Sequence, residues 1–213
     1  MSTEAAAVRY PMPTVIKTAD ILAKGLLVLL LLLALVDPDG SNLRNKAAEA
    51  RAIGYPLASF TIPMIWLLVW KERASFPWLP DLLVTLTCFT DILGNRMDLY
   101  DKIVWFDDLM HFANTGLIAA AVILLTLHRT APRYRVVERA LAVGATAAIA
   151  WEVAEYYAFI NGHAERAFAY TDTLSDLGLG VMGSVVAALV IHALWSRGHL
   201  SETAPQLEHN GLR

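Results

Sequence analysis

Long apolar runs separated by short polar segments dominate the chain. A run of about 20 apolar residues is the length that an α-helix needs to cross the hydrocarbon core of a membrane. The apolar residues are continuous rather than confined to one helical stripe, so lipid is the expected solvent. The pattern predicts an all-α polytopic membrane protein, a bundle of six transmembrane helices. The predicted spans are about Ile21–Val36, Ile53–Trp70, Leu79–Gly94, Leu109–His128, Val137–Phe159 and Thr173–Trp195.

Breaker residues and a late start define the first predicted span. It ends at Asp37–Gly40, whose Asp, Pro and Gly residues are a turn signal. It is interpreted as a retained anchor rather than a cleaved signal peptide, because it is long and no small-residue cleavage pattern precedes the turn. Pro63 is expected to kink the second span. The predicted organisation is a cytoplasmic tail over 1–16, a six-helix transmembrane domain over 17–195 and a cytoplasmic tail over 196–213.

Charge and composition narrow the class of protein further. Hydrophobic residues make up 56% of the 213 residues and charged ones only 17%, which is atypical of a soluble domain. Lys and Arg are denser in the two tails and in the second and fourth loops, which predicts that both termini lie in the cytoplasm. There is no long basic tract, so nucleic acid is not an expected partner. Cys88 is the single cysteine, which excludes an intrachain disulfide and indicates a buried thiol.

Polar groups interrupt the apolar runs near one end of four predicted spans. In the predicted orientation all four ends lie at the outer leaflet. A charged side chain at the centre of a membrane helix costs about 2.5–3.5 kcal/mol, so a group of them indicates a function. The residues are Asp91, Asn95 and Asp98; Asp107, Asp108, His111 and Asn114; Glu152 and Glu155; and Asp172 and Asp176.

The spacing of these groups predicts a divalent metal site. Residues three or four apart share a helix face, as His111 does with the acids before it. Carboxylates held this close need a shared cation or proton. Many oxygens with one imidazole favour Mg²⁺, Mn²⁺ or Ca²⁺ over Zn²⁺ or iron. The predicted metal ligands are Asp108, His111, Glu152, Glu155 and Asp176, with Asp91 and Asp172 as catalytic base or outer-sphere groups.

Structural explanations compete with the metal site at several positions. Asp107 and Asp172 suit the N-termini of helices, where carboxylates cap free N–H groups. His111 would also serve as an interhelical hydrogen-bond donor. Arg96 or Lys102 would neutralise part of the acidic group without any metal.

Small residues at a spacing of four predict close helix packing within the bundle. The pattern occurs once in each of the last three spans, and such pairs let helix backbones approach one another in a membrane. The three pairs are Gly116 with Ala120, Gly144 with Ala148, and Gly180 with Ser184.

Three functions are compatible with these patterns. The first is a metal-dependent hydrolase or transferase that acts on a lipid or cell-envelope precursor, with a lipid headgroup as partner. The second is a small ion-coupled transporter; it is disfavoured because only His192 is expected as a polar group inside the inner half of a span. The third is a non-catalytic membrane subunit whose acids contact a partner protein or a second copy of the chain.

An ordered set of motifs carries a family resemblance over about the last four spans. The motifs are D-x-x-H-F at Asp108–Phe112, E-x-x-E at Glu152–Glu155 and D-T-x-x-D at Asp172–Asp176. The set is similar to the YjdF-like family, small bacterial inner-membrane proteins grouped as a domain of unknown function. A more distant similarity is to the VanZ-like family, which is linked to the cell envelope. The resemblance implies a multi-pass protein of the bacterial inner membrane with a polar site, and it implies no particular reaction.

Overall fold

The computed structural model describes residues 11–44, 46–71, 74–158 and 169–200. Both predicted tails lie largely outside these residues, as does Phe159 at the end of the fifth predicted span. The described residues form helices and no β-strand, which confirms the all-α prediction. The helices are α1 (Thr14–Val36), α2 (Ala48–Ser59), α3 (Thr61–Ile65) with a following π-helical turn (Trp66–Trp70), α4 (Trp78–Arg96), α5 (Leu99–Lys102), α6 (Phe106–Thr126), α7 (Arg133–Ala158) and α8 (Ala169–Ser196).

Among the described residues, three helices are long and apolar enough to cross a membrane: α1, α6 and α8. A fourth span results if α2 and the segment Thr61–Trp70, which meet at a bend of 42°, are taken together. The remaining long helices carry more charge, since α4 contains buried aspartates and α7 begins with several arginines. Six spans with both termini in the cytoplasm therefore stay a prediction.

The bend in the second predicted span lies close to Pro63. The α-helix is interrupted at Phe60, between α2 and α3. Proline has no N–H to donate to the carbonyl four residues earlier, which here is Ser59, and its ring crowds that carbonyl. The break follows directly after Ser59, so the expected kink has a local cause.

The helices pack as two groups that meet where α4 contacts α6. One group is formed by α1, α2 and α4, and the other by α6, α7 and α8. Large leucines of α1 point outwards and are at least half exposed, for example Leu22 and Leu32, as expected for a helix against lipid. The two cores consist of Leu27, Leu31, Ala34, Leu43, Tyr55, Cys88 and Ile92, and of Ala120, Ile123, Leu124, Val136, Ala140, Ala188, Ile191 and Trp195.

Glycines bring α6 and α8 into backbone contact. A methyl group on Gly183 would collide with the main-chain oxygen of Phe112, and one on Gly116 would lie 2.9 Å from the main-chain oxygen of Gly183. On α7, a methyl group at Gly144 would collide with the side chain of Ser184. Each of the three predicted small-residue pairs thus contributes a residue to these contacts. The close packing fixes how the polar ends of α6, α7 and α8 face one another.

Candidate functional site

The beginnings of α6 and α8 and the end of α7 meet at one end of the bundle. His111 is in the second turn of α6, Glu152 and Glu155 are in the last turns of α7, and Asp176 follows the first turns of α8. α7 runs antiparallel to α6 and α8, so the end of α7 lies beside the beginnings of α6 and α8. We call His111, Asp107, Glu152, Glu155 and Asp176 the acidic site.

The imidazole of His111 lies at the centre of the acidic site. Its Nε2 is 3.5 Å from Oδ1 of Asp107 and 3.8 Å from Oδ2 of Asp176, and its Nδ1 is 3.5 Å from Oε1 of Glu152. The His111 side chain is only 8% exposed. The carboxylates therefore occupy both nitrogen-bearing edges of one buried ring.

Glu152 is the carboxylate with an unused buried oxygen. Its Oε2 accepts a hydrogen bond of 2.9 Å from the hydroxyl of Thr173. Its Oε1 is buried and has no hydrogen-bond partner among the residues that the structure describes. A buried carboxylate oxygen without a donor is costly, so this atom calls for a cation or a proton.

The distances at each ring nitrogen of His111 are compatible with a bridging cation. Separations of 3.5–3.8 Å exceed those of ordinary hydrogen bonds. Two ligand atoms at about 2.1–2.4 Å from one cation are themselves separated by about 3.0–3.9 Å, depending on the coordination angle. Two sets of three residues offer ligand atoms within 4.8 Å of one another: Asp107, His111 and Asp176, and His111, Glu152 and Glu155.

The structure places most, but not all, of the predicted ligands in the acidic site. His111, Glu152, Glu155 and Asp176 are there. Asp108 is exposed and belongs to neither set, and Asp107, four residues before His111, lies beside the ring instead. Consecutive residues of a helix differ by about 100° in direction, so only one of the two aspartates faces inwards. The spacing along the sequence is compatible with either Asp107 or Asp108 lying beside His111.

The two predicted catalytic residues lie in different surroundings. Asp172 is exposed at the start of α8 and interacts electrostatically with Glu152 and Asp176. Asp91 is buried next to the acidic site, in a separate group that holds Arg51. Of the two, only Asp172 is exposed.

Asp91 forms what we call the paired site with Arg51, Tyr55 and Tyr100. Its Oδ2 accepts hydrogen bonds from Arg51 Nε at 2.9 Å and from the Tyr55 hydroxyl at 2.5 Å, and its Oδ1 accepts one from the Tyr100 hydroxyl at 3.0 Å. Burial, and then the charge of Asp91, raise the pKa of Tyr100, which keeps its phenol a neutral donor. The paired site is charge-balanced and both oxygens are occupied, so Asp91 is poorly suited to act as a base.

The cations proposed to neutralise the acidic site pair with other groups. Arg96 donates to the hydroxyl of Ser41 at 2.9 Å, and Lys102 pairs with Asp98 at 2.8 Å. Arg51, which belongs to the paired site, does interact electrostatically with Glu155 of the acidic site. Lys102 therefore neutralises Asp98, one member of the predicted acidic group, as that alternative expected, and it does so outside the acidic site.

A third polar group, which the sequence analysis missed, lies between α1 and α4. The ammonium of Lys24 is 3.0 Å from Oδ1 of Asp20 and 3.0 Å from Oδ2 of Asp81, and it also contacts the hydroxyl of Thr85. Asp81 is in the first turn of α4, at the opposite end of that helix from Asp91. The expectation that only His192 is polar in this half is wrong. The four-residue spacing of Asp20 and Lys24, which puts both on one helix face, was the sequence feature that could have indicated this group.

An all-α fold with several membrane-length apolar helices and a polar end defines a multi-pass membrane protein. The chain belongs to the family described as Predicted membrane protein (DUF2238), whose model matches residues 20–197. This finding confirms the resemblance to YjdF-like proteins, while the similarity to VanZ-like proteins is not shown. No curated protein and no solved structure matches the chain.

Proposed function

We propose that the chain is a six-span protein of the bacterial inner membrane with both termini in the cytoplasm. Counting the bent segment Ala48–Trp70 as one span, six long helical segments alternate in direction. α4 and α7 would cross inside the bundle, where their carboxylates are buried against other helices rather than lipid. The distribution of Lys and Arg then puts the acidic site at the outer leaflet.

The proposed activity of the acidic site is to bind one divalent cation at Nδ1 of His111, with Glu152 and Glu155 as ligands and with Asp107 and Asp176 at Nε2 as outer-sphere groups. Mg²⁺, Mn²⁺ or Ca²⁺ is favoured by the oxygen-rich composition. The observation that carries the proposal is the buried, unpartnered Oε1 of Glu152, 3.5 Å from His111. Four carboxylates around one imidazole leave excess negative charge even when His111 is protonated. A divalent cation would compensate that charge.

The function that follows is a metal-dependent hydrolase or transferase that acts on a phosphate- or ester-bearing lipid or cell-envelope precursor. Bound divalent metal supplies charge neutralisation at a phosphate oxygen and a water nucleophile near neutral pH. Asp107, whose side chain is 44% exposed, connects the buried ring to the surface of the bundle. In this proposal the carboxylate of Asp172, which is exposed, accepts a proton from a reacting water.

Metal analysis with matched variants tests this function. The purified protein should retain about one divalent ion per chain after exchange into metal-free buffer, and Glu155→Gln should lose it. Asp108→Asn removes a neighbouring carboxylate that is exposed and outside the site, so it should retain the ion. An equal metal content in all three proteins would contradict the proposal. Turnover of a phospholipid or a lipid-linked precursor, abolished by chelation and by Glu155→Gln but not by Asp108→Asn, would establish the enzyme.

One observation favours an ion-coupled transporter as the second candidate. The group of Lys24, Asp20 and Asp81 supplies buried charges in the half of the bundle opposite the acidic site. Transporters place ionisable residues along the membrane interior in this way. Cation flux into sealed vesicles, lost in Asp81→Asn and unaffected by Asp108→Asn, would support transport over catalysis.

A further inference from the structure

We propose that Asp20 and Asp81 form a proton-binding site in which the two carboxyl groups share one exchangeable proton beside the ammonium of Lys24. The site lies between α1 and α4 and is separate from the acidic site. It does not depend on metal binding there, so the two proposals can fail independently.

The charge balance of this group is the first argument. One ammonium faces two carboxylates, and the side chains of Asp20 and Asp81 are only 2% and 1% exposed. With both acids ionised, the group would bury one uncompensated negative charge. Burying such a charge carries a large desolvation penalty, and a single proton removes it.

The hydrogen bonds identify Asp81 as the principal carrier of the proton. Oδ1 of Asp20 accepts hydrogen bonds from Lys24 at 3.0 Å and from the hydroxyl of Thr85 at 3.2 Å. Neither buried oxygen of Asp81 accepts a hydrogen bond from any residue that the structure describes, although Lys24 lies 3.0 Å from one of them. The Asp81 and Asp20 carboxyls interact electrostatically, and Lys24 contacts both of them. Two carboxylates cannot hydrogen-bond to each other, whereas a protonated one donates to its neighbour.

Among the described residues, Asp20 and Lys24, both from α1, are the charged groups that interact most strongly with Asp81. Lys17, one turn earlier on α1, lies 5.5 Å from the ring centre of Trp78 at the start of α4. The helices α2 and α6 also pack on α4, but their charges lie at the opposite end of the bundle. These distant groups are Glu49 and Arg51 on α2, and Asp107, Asp108 and His111 on α6.

A proton fits this group better than a metal ion. The ammonium of Lys24 already contacts Asp20, Asp81 and Thr85, and it lies 5.8 Å from the ring centre of Phe60. A second cation would have to bind against that positive charge in a medium of low dielectric constant. A shared proton needs no extra space. Its release as the pH rises would leave like charges facing across the contact of α1 with α4.

Infrared difference spectroscopy between acidic and alkaline pH tests the proposal in the full chain, reconstituted in lipid vesicles. The wild-type spectrum should contain a buried protonated carboxyl that loses its proton at alkaline pH. That signal should be absent in both Asp81→Asn and Asp20→Asn, because each leaves one carboxylate for one ammonium. It should be retained in Asp108→Asn. A signal that persists in both Asp81→Asn and Asp20→Asn would overturn the proposal.

Two further measurements distinguish a shared proton from a metal cation at this site. Lys24→Met removes the ammonium, so both carboxyls should be protonated and this signal should increase about twofold; an unchanged signal would contradict a shared proton. Repeating the titration with Na⁺ replaced by choline should leave the spectra unchanged. Proton release that requires Na⁺ would show that a metal cation is the occupant and would also overturn the proposal.

Discussion

The acidic site and the paired site lie side by side at one end of the bundle, but their buried carboxylates differ in the partners that stabilise them. In the paired site, Asp91 has an arginine and two tyrosines, and both of its oxygens accept hydrogen bonds. In the acidic site, four carboxylates surround the single ring of His111, and one oxygen of Glu152 has no donor among the described residues. The paired site is complete as a structural element. The acidic site leaves a buried oxygen without a donor, which is why we propose a cation there and assign function to it.

The largest expected effect comes from breaking the paired site. Arg51→Met should lower the free energy of unfolding by about 3–5 kcal/mol, because it leaves Asp91 buried without a cation. Thermal unfolding in detergent measures the change. Adding Asp91→Asn should restore part of the loss, and cation affinity should not fall in either variant. If Arg51→Met is as stable as the wild type, the paired site does not stabilise the fold.

A smaller effect is expected from separating α6 and α8 beneath the acidic site. Gly183→Ala puts a methyl group against the main-chain oxygen of Phe112, the residue after His111. The two helices must move apart, at a cost of about 1–3 kcal/mol, and the carboxylates should move with them. Unfolding and Mn²⁺ binding should both be impaired.

The matched control for this helix contact is Gly178→Ala, because nothing lies within 4 Å of a methyl group there. It should leave Mn²⁺ affinity unchanged. Equal Mn²⁺ affinity in Gly183→Ala and the wild type would show that the α6–α8 contact does not position the site.

Neutralising one acid of the acidic site should separate binding from stability. Glu155→Gln should weaken Mn²⁺ binding by about tenfold or more, since it removes a ligand or an outer-sphere group. In the presence of chelator, its melting temperature should be unchanged or higher than that of the wild type, because a like charge is removed. Isothermal titration and thermal unfolding measure the two effects. A large loss of stability in chelator would mean that the acidic site is a structural network like the paired site.

The smallest effect is expected in the loops beside the paired site. Hydrogen bonds from Lys46 and Asn42 lower the pKa of Asp101, whose side chain is 51% exposed. Its folded pKa is below the unfolded value, so its contribution is complete above pH ~4 and is lost as the pH falls further. Asp101→Asn should cost about 1 kcal/mol or less at neutral pH, as measured by thermal unfolding. A larger loss would show that this loop contact supports the bundle.

Apolar runs and breakers predicted the helices, and chain direction predicted that the acids of α6, α7 and α8 meet. Side-chain partners were harder to predict. Whether Asp107 or Asp108 faces α7 and α8 depends on the rotation of α6, which the close contact of Gly183 with Phe112 constrains. The partner of Asp91 is Arg51, 40 residues earlier in the chain, and no local spacing indicates that pair. Long-range pairing also explains why the group of Lys24 and Asp81 was missed.

The most direct test of the central claim is pulsed electron paramagnetic resonance of Mn²⁺ added to the purified protein. The account predicts about one tightly bound Mn²⁺ per chain, with coupling to an imidazole nitrogen. The nitrogen coupling should be absent in His111→Gln, and Asp107→Asn should weaken binding more than Asp108→Asn does. Wild-type protein that binds no more Mn²⁺ than His111→Gln, or that shows no nitrogen coupling, would contradict a cation site at His111.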